Sequence, residues 1–154
     1  MLLPLLLACA TVSDSADTAS EDTSPPAPTT ASVELAFVMD FDLVAEMAEP
    51  PVGVFRGSIF AEDDATGFGP NEDAVALLDF ESDPIDLTAT GGPSAVAYVG
   101  GELEPGIVWI LGCLDTAGDD CECGDPITHP NDNKLEIVVG ANPLEVTMEL
   151  LHPC

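Results

Sequence analysis

Positive charge is almost missing from this chain. Arg56 and Lys134 are its only Lys and Arg, set against 29 Asp and Glu, for a formal charge of −27. A chain so acidic has no basic track for DNA or RNA, and charge alone will not dock it on an anionic lipid surface. Aromatic residues are scarce at 5%, with one Trp and one Tyr. Catalytic signatures are missing too: there is no G-x-S-x-G elbow and no glycine loop to cradle a phosphate. His129 and His152 are the only histidines. Serines 58 and 94 sit in strand patterns and read as outward polar positions. No segment keeps a 3.6-residue period for more than two turns, which excludes a helical fold.

What is present begins with a core. Apolar residues make up 46% of 154 residues, enough for one folded domain with some tail. The partners such a charge attracts are cations, either metal ions or basic proteins. The same surface also serves solubility in salty surroundings with no partner.

Residues 2–8, LLPLLLA, form a short apolar run ending in a small residue. Its length fits a secretory signal and is far too short to span a bilayer. The tetrad Leu6-Leu7-Ala8-Cys9 resembles the bacterial lipobox, where the signal is cut before a cysteine that is then acylated. The resemblance implies a lipidated Cys9 and a membrane anchor. No Lys or Arg precedes the apolar run, which points to a true start upstream of Met1. Residues 10–32 are Ser, Thr, Ala, Pro and acid, with Val12 the one large apolar residue. Such a segment buries too little to fold and reads as a disordered tether. The expected organisation is a signal over 1–8, a lipidated cysteine and linker over 9–32, and a domain over 33–154.

The domain reads as all-β. Val33, Leu35, Phe37, Met39, Phe41 and Leu43 alternate with the period of a half-buried strand. Further strands are expected at 54–61, 74–80, 85–88, 94–99, 106–112, 134–139 and 144–151. The unbroken run GIVWILG (106–112) implies burial on both faces. Gly- and Pro-rich turns separate these runs, and Val44–Ala48 allows one helical turn at most. About eight short strands at this spacing predict an antiparallel β-sandwich. Alternating strand directions then place loop 62–73, loop 113–133 and the C-terminus at one end. Cys113, Cys121, Cys123 and Cys154 would meet there.

The succession GSIFAEDDATGFGPNEDA, LEPGIVWILGCLDTAGD, CGDPITHP and EIVVGANPLEVTMEL resembles small transthyretin-like, carboxypeptidase-regulatory-type domains of envelope lipoproteins. The resemblance spans roughly residues 52–151. It implies a seven- or eight-stranded sandwich and a non-catalytic module, with no active site to transfer.

The loop 113-CLDTAGDDCECGDP-126 concentrates the chemistry. An exported chain meets oxidising conditions, where an even set of four cysteines forms two disulfides. A Cys121–Cys123 bridge is disfavoured by one intervening residue. That leaves Cys113 and Cys154 each bonded to one of the loop pair. Zinc is the competing use of these thiols with His129 and His152, but the spacing lacks the paired C-x₂-C of structural zinc sites. Calcium is the metal that Asp115, Asp119, Asp120 and Asp125 suit, since it takes six to eight oxygens. Against it stand Ala117 at a usual ligand position and Pro126 where a bidentate Glu belongs. A solvated acidic turn, with Gly118 supplying the backbone angle, competes with the calcium reading. Trp109 reads as core, and Arg56 as paired with acids.

The expected function is a lipid-anchored, non-enzymatic envelope protein, located at the outer membrane, with a structural, adhesive or ligand-binding domain. Its partners would be the membrane, through the acyl anchor, and an envelope protein or glycan. The alternative is a secreted hydrolase or accessory domain using acidic loop residues, which requires a concave pocket of converging acids.

Overall fold

A computed structural model describes residues 27–88 and 93–154; residues 1–8, Cys9 and the tether as far as residue 26 lie outside the described residues. The elements are β1 (Ala31–Met39), α1 (Phe41–Glu46), β2 (Val52–Ala61), β3 (Ala65–Thr66), β4 (Gly69–Pro70), β5 (Leu78–Glu81), β6 (Ile85–Asp86), β7 (Tyr98–Leu103), β8 (Gly106–Asp115), β9 (Pro126–Thr128), β10 (Lys134–Ile137) and β11 (Gly140–Leu151). Among the described residues the fold is all-β with one short α-helix, and no helix there is long and apolar enough to cross a membrane.

β1 shows why the alternation forms a strand. Ala31, Val33, Leu35, Phe37 and Met39 are all buried, and the residues between them are half-buried. The alternation continues in the sequence to Leu43, but the strand stops at Met39. Asp40 accepts a hydrogen bond from Asp42 N at 2.7 Å and caps α1, so Leu43 reaches the core from a helix instead.

One main sheet runs in the order β5-β2-β8-β9-β11-β1-β7, with β6 on β2 and β10 on β8. Its pairings are antiparallel with one exception. β1 and β11 run parallel over nine residue pairs, from Ala31 opposite Gly140 to Met39 opposite Met148. The expectation of antiparallel neighbours throughout is corrected here: the sheet is mixed. A parallel pair needs a long connection, and here nearly the whole domain lies between its two strands. β11 also begins earlier than the Asn142-Pro143 turn signal implied. The buried Asn142 amide bonds Val138 N, Val138 O, Ser32 O and Gly140 O, replacing ladder bonds locally.

The sheet curls back over its own core. Phe37 on β1 touches Phe55 on β2, four strands away in the sheet, with ring centroids 4.5 Å apart. Phe80 and Tyr98 extend the aromatic row. On β8, Val108 and Ile110 face this main core, while Trp109 and Leu111 pack with Ala65 and Phe60 in a smaller cluster behind. The strand is thus buried on both faces.

Candidate functional site

Cys113, Cys121, Cys123 and Cys154 gather at one end of the sheet and form two disulfides, Cys113–Cys121 and Cys123–Cys154. The loop after β2 joins them. Gly67–Pro70 line a groove of about 530 Å³ together with Cys113, Cys121, His129 and His152. Because β1 runs parallel to β11, β1 begins at Ala31 beside Gly140, at the far end of β11 from these staples. Twelve residues of strand separate the two ends, roughly 35 Å at the usual rise.

The first acidic cluster is built around Asp115, the last residue of β8. Its backbone packs against Gly53 so closely that a β-carbon there would not fit. The side chain is buried, and both its oxygens are engaged. Oδ1 accepts from Gly118 N at 2.6 Å and Asp119 N at 3.2 Å, while Oδ2 accepts from Arg56 Nε at 3.0 Å. Burial alone would raise the carboxyl's pKa; the bonds from Gly118, Arg56 and Asp119 outweigh it and hold the group below the ordinary carboxylate range. Gly118 adopts φ 77°, the left-handed angle that the turn requires. Arg56 also pairs with Glu81 and reaches Asp120 at 3.6 Å. It is therefore the resident cation of this loop, and its own pKa is raised, first by the hydrogen bond to Asp115.

Asp125 completes the cluster. Its Oδ1 accepts from Thr116 N and Thr116 Oγ1, and its Oδ2 is buried without a hydrogen-bond partner. A carboxylate oxygen from each of Asp115, Asp119 and Asp125 lies within 4.8 Å of the others. Of the four acids read as calcium ligands, Asp120 stands outside this group and sits beside Arg56 instead.

A second cluster was not legible in the sequence. His129, Asp132 and Glu149 bring one ligating atom each within 4.8 Å of one another. His129 ends the segment after β9, Asp132 closes the 3-10 turn Pro130–Asp132, and Glu149 lies on β11. The β9–β11 register slips between Met148 and Leu150, so Glu149 occupies a bulge. Bulges re-aim side chains, and no spacing rule would have placed Glu149 beside His129. Desolvation, the facing Asp132 and nearby Asp40 raise the Glu149 pKa, and His129 partly offsets them.

One further concavity among several bears on the hydrolase alternative. A cleft of about 470 Å³ holds Asp79 and Glu81 with Arg56 and Ser58. Ser58 donates its hydroxyl to Asp79, and Arg56 pairs with Glu81. Each carboxylate is already engaged by a neighbour. Lys134, the other cation, pairs with Glu62 at 2.9 Å and lies over the Trp109 ring. The Trp109 indole donates to Glu62 O, which fixes it as packing rather than as a free stacking platform.

No protein-family model matches the chain, and no curated protein or solved structure matches it either.

Proposed function

We propose that this chain is a lipid-anchored, non-enzymatic protein of the bacterial outer membrane, whose transthyretin-like β-sandwich presents its disulfide-stapled end to an envelope ligand, either protein or glycan. The observation that carries the reading is the parallel β1–β11 pair. It sets the start of β1 at one end of the domain and both staples at the other, which supports a tether entering opposite the staples. A tether at one end and a rigid, groove-bearing loop cluster at the other is the arrangement of a displayed binding module. The sandwich assignment draws on the Phe37–Phe55 contact, which brings two distant stretches of sheet face to face. The non-enzymatic assignment draws on the engaged carboxylates of the Asp79–Glu81 cleft.

Intact-mass measurement of the protein extracted from membranes tests the anchor. The expected species begins at Cys9, carries added acyl mass and is four hydrogens lighter than its reduced form. A soluble species that keeps residues 1–8 would overturn the proposal.

A second reading is calcium at the stapled end, held by Asp115, Asp119 and Asp125. Its support is the buried, unpartnered Oδ2 of Asp125. Calcium would add to a site that Arg56 already neutralises in part, so its expected effect on melting is a small rise that chelator reverses. Identical melting curves with calcium and with chelator would remove it.

A further inference from the structure

We propose that His129, Asp132 and Glu149 bind a divalent transition-metal ion of the zinc class, at a site distinct from the acidic loop around Asp115. The proposal goes beyond anchorage and display and does not depend on them.

The donor set is the first argument. An imidazole nitrogen and two carboxylate oxygens stand within 4.8 Å of one another. Zinc bonds of 2.0–2.2 Å in a tetrahedral shell put ligand atoms about 3.3 Å apart, so the set closes when the 2.9 Å His129–Asp132 pair opens slightly and the wider gaps, all under 4.8 Å, contract. The imidazole favours zinc-class metals over calcium or magnesium, which take oxygen alone. The four cysteines at this end are paired in disulfides and offer no competing thiolate.

The ring geometry is the second, independent argument. His129 Nδ1 lies buried and 2.9 Å from Asp132 Oδ2, yet the two make no aligned hydrogen bond. A nitrogen and an oxygen this close, but not aligned as donor and acceptor, can serve one ion once they part by a few tenths of an ångström. An ion between them supplies the missing partner.

Charge and scaffold agree. Asp132 and Glu149 face each other, with Asp40 near by, while Arg56 and Lys134 are both engaged elsewhere. Two carboxylates in contact, with the His129 imidazole but no Lys or Arg beside them, repel. They are nevertheless held together by the fully buried Asn133. Its Nδ2 donates to His129 O and Thr147 O, and its Oδ1 accepts from Thr147 N. That amide ties the turn bearing His129 and Asp132 to β11 two residues before Glu149, as a positioning residue should. Three protein ligands leave the fourth zinc position to water or to an incoming group. His129 also lines the apolar groove, which puts the metal at its margin.

The test uses the full chain, untagged and with its disulfides intact. Titration calorimetry with Zn²⁺ is expected to show one saturable site per chain, and Mg²⁺ none. Co²⁺ is expected to give visible absorption bands of a nitrogen–oxygen site. His129→Ala should abolish those bands, and Glu149→Gln, which keeps the side-chain shape, should weaken Zn²⁺ at least about tenfold. Asp125→Asn in the other cluster should leave both readouts unchanged. Saturable zinc binding that survives Glu149→Gln in a folded protein, or that falls equally in Asp125→Asn, would overturn the assignment. So would the absence of a saturable site.

Discussion

Around Asp115 the carboxylate meets donors on every side; around Glu149 the carboxylates meet each other. The two clusters share one end of one domain, three acids in the first and two with a histidine in the second. The first is fastened by two backbone N–H groups and by Arg56, inside a loop that the Cys113–Cys121 disulfide closes. The second has an imidazole and no Lys or Arg. Acid content therefore says little about ligands. What separates a structural acidic turn from a metal site is whether the fold has already supplied the positive partner.

The comparison can be broken first at the staples. Cys123–Cys154 closes a 31-residue separation and Cys113–Cys121 one of 8. Chain-entropy reasoning gives about 3–4 kcal/mol for the longer loop and about 2.5 kcal/mol for the shorter. Denaturant unfolding of the two Cys→Ser pairs should show the larger loss for Cys123/Cys154. The reverse order would mean that the short loop carries the fold of this end.

Next in size is the contrast between the two carboxylates. Asp115→Ala leaves three donors without an acceptor and is expected to lower stability by about 2 kcal/mol in the same unfolding measurement. Glu149→Gln removes a like-charge contact and is expected to be neutral or mildly stabilising in metal-free buffer near pH 7. A large loss from Glu149→Gln would show that its charge is structural.

The pH dependences should carry opposite signs. Glu149 is raised in the fold, so the folded state takes up its proton first. As pH falls from neutral through that raised value, its unfavourable contribution disappears and stability rises. Asp115 is lowered, so its contribution is complete above the ordinary aspartate value, about 3.9, and is lost as pH falls from there through the lowered one. Melting against pH for wild type, Glu149→Gln and Asp115→Asn isolates each sign from the relief of overall repulsion. Glu149→Gln should flatten the rise on mild acidification, and Asp115→Asn should soften the fall in stronger acid. A Glu149→Gln curve parallel to wild type would remove the like-charge account.

Much of the fold is written locally. The alternation from Ala31 to Met39 encodes β1, and the unbroken run in β8 encodes a strand buried on both faces. The signals that misled were also local. Leu43 keeps the strand period but belongs to a helix, because Asp40 caps it. Asn142-Pro143 has turn chemistry but lies in β11, because the Asn142 amide satisfies the backbone groups that the ladder leaves open. Asp115 was visible as a loop acid, while its engagement by Arg56, 59 positions away, was not.

The sequence by itself determined the charge, the all-β pattern and the presence of four cysteines able to pair within a short acidic loop and at the C-terminus. These follow from composition and period, which each residue carries wherever it lies. Tertiary structure alone decided that β1 and β11 run parallel, that Arg56 neutralises one acidic cluster, and that a bulge turns Glu149 toward His129 and Asp132. Those outcomes depend on register and on contacts between distant segments. A one-residue slip in a ladder redirects a side chain while leaving every local signal unchanged.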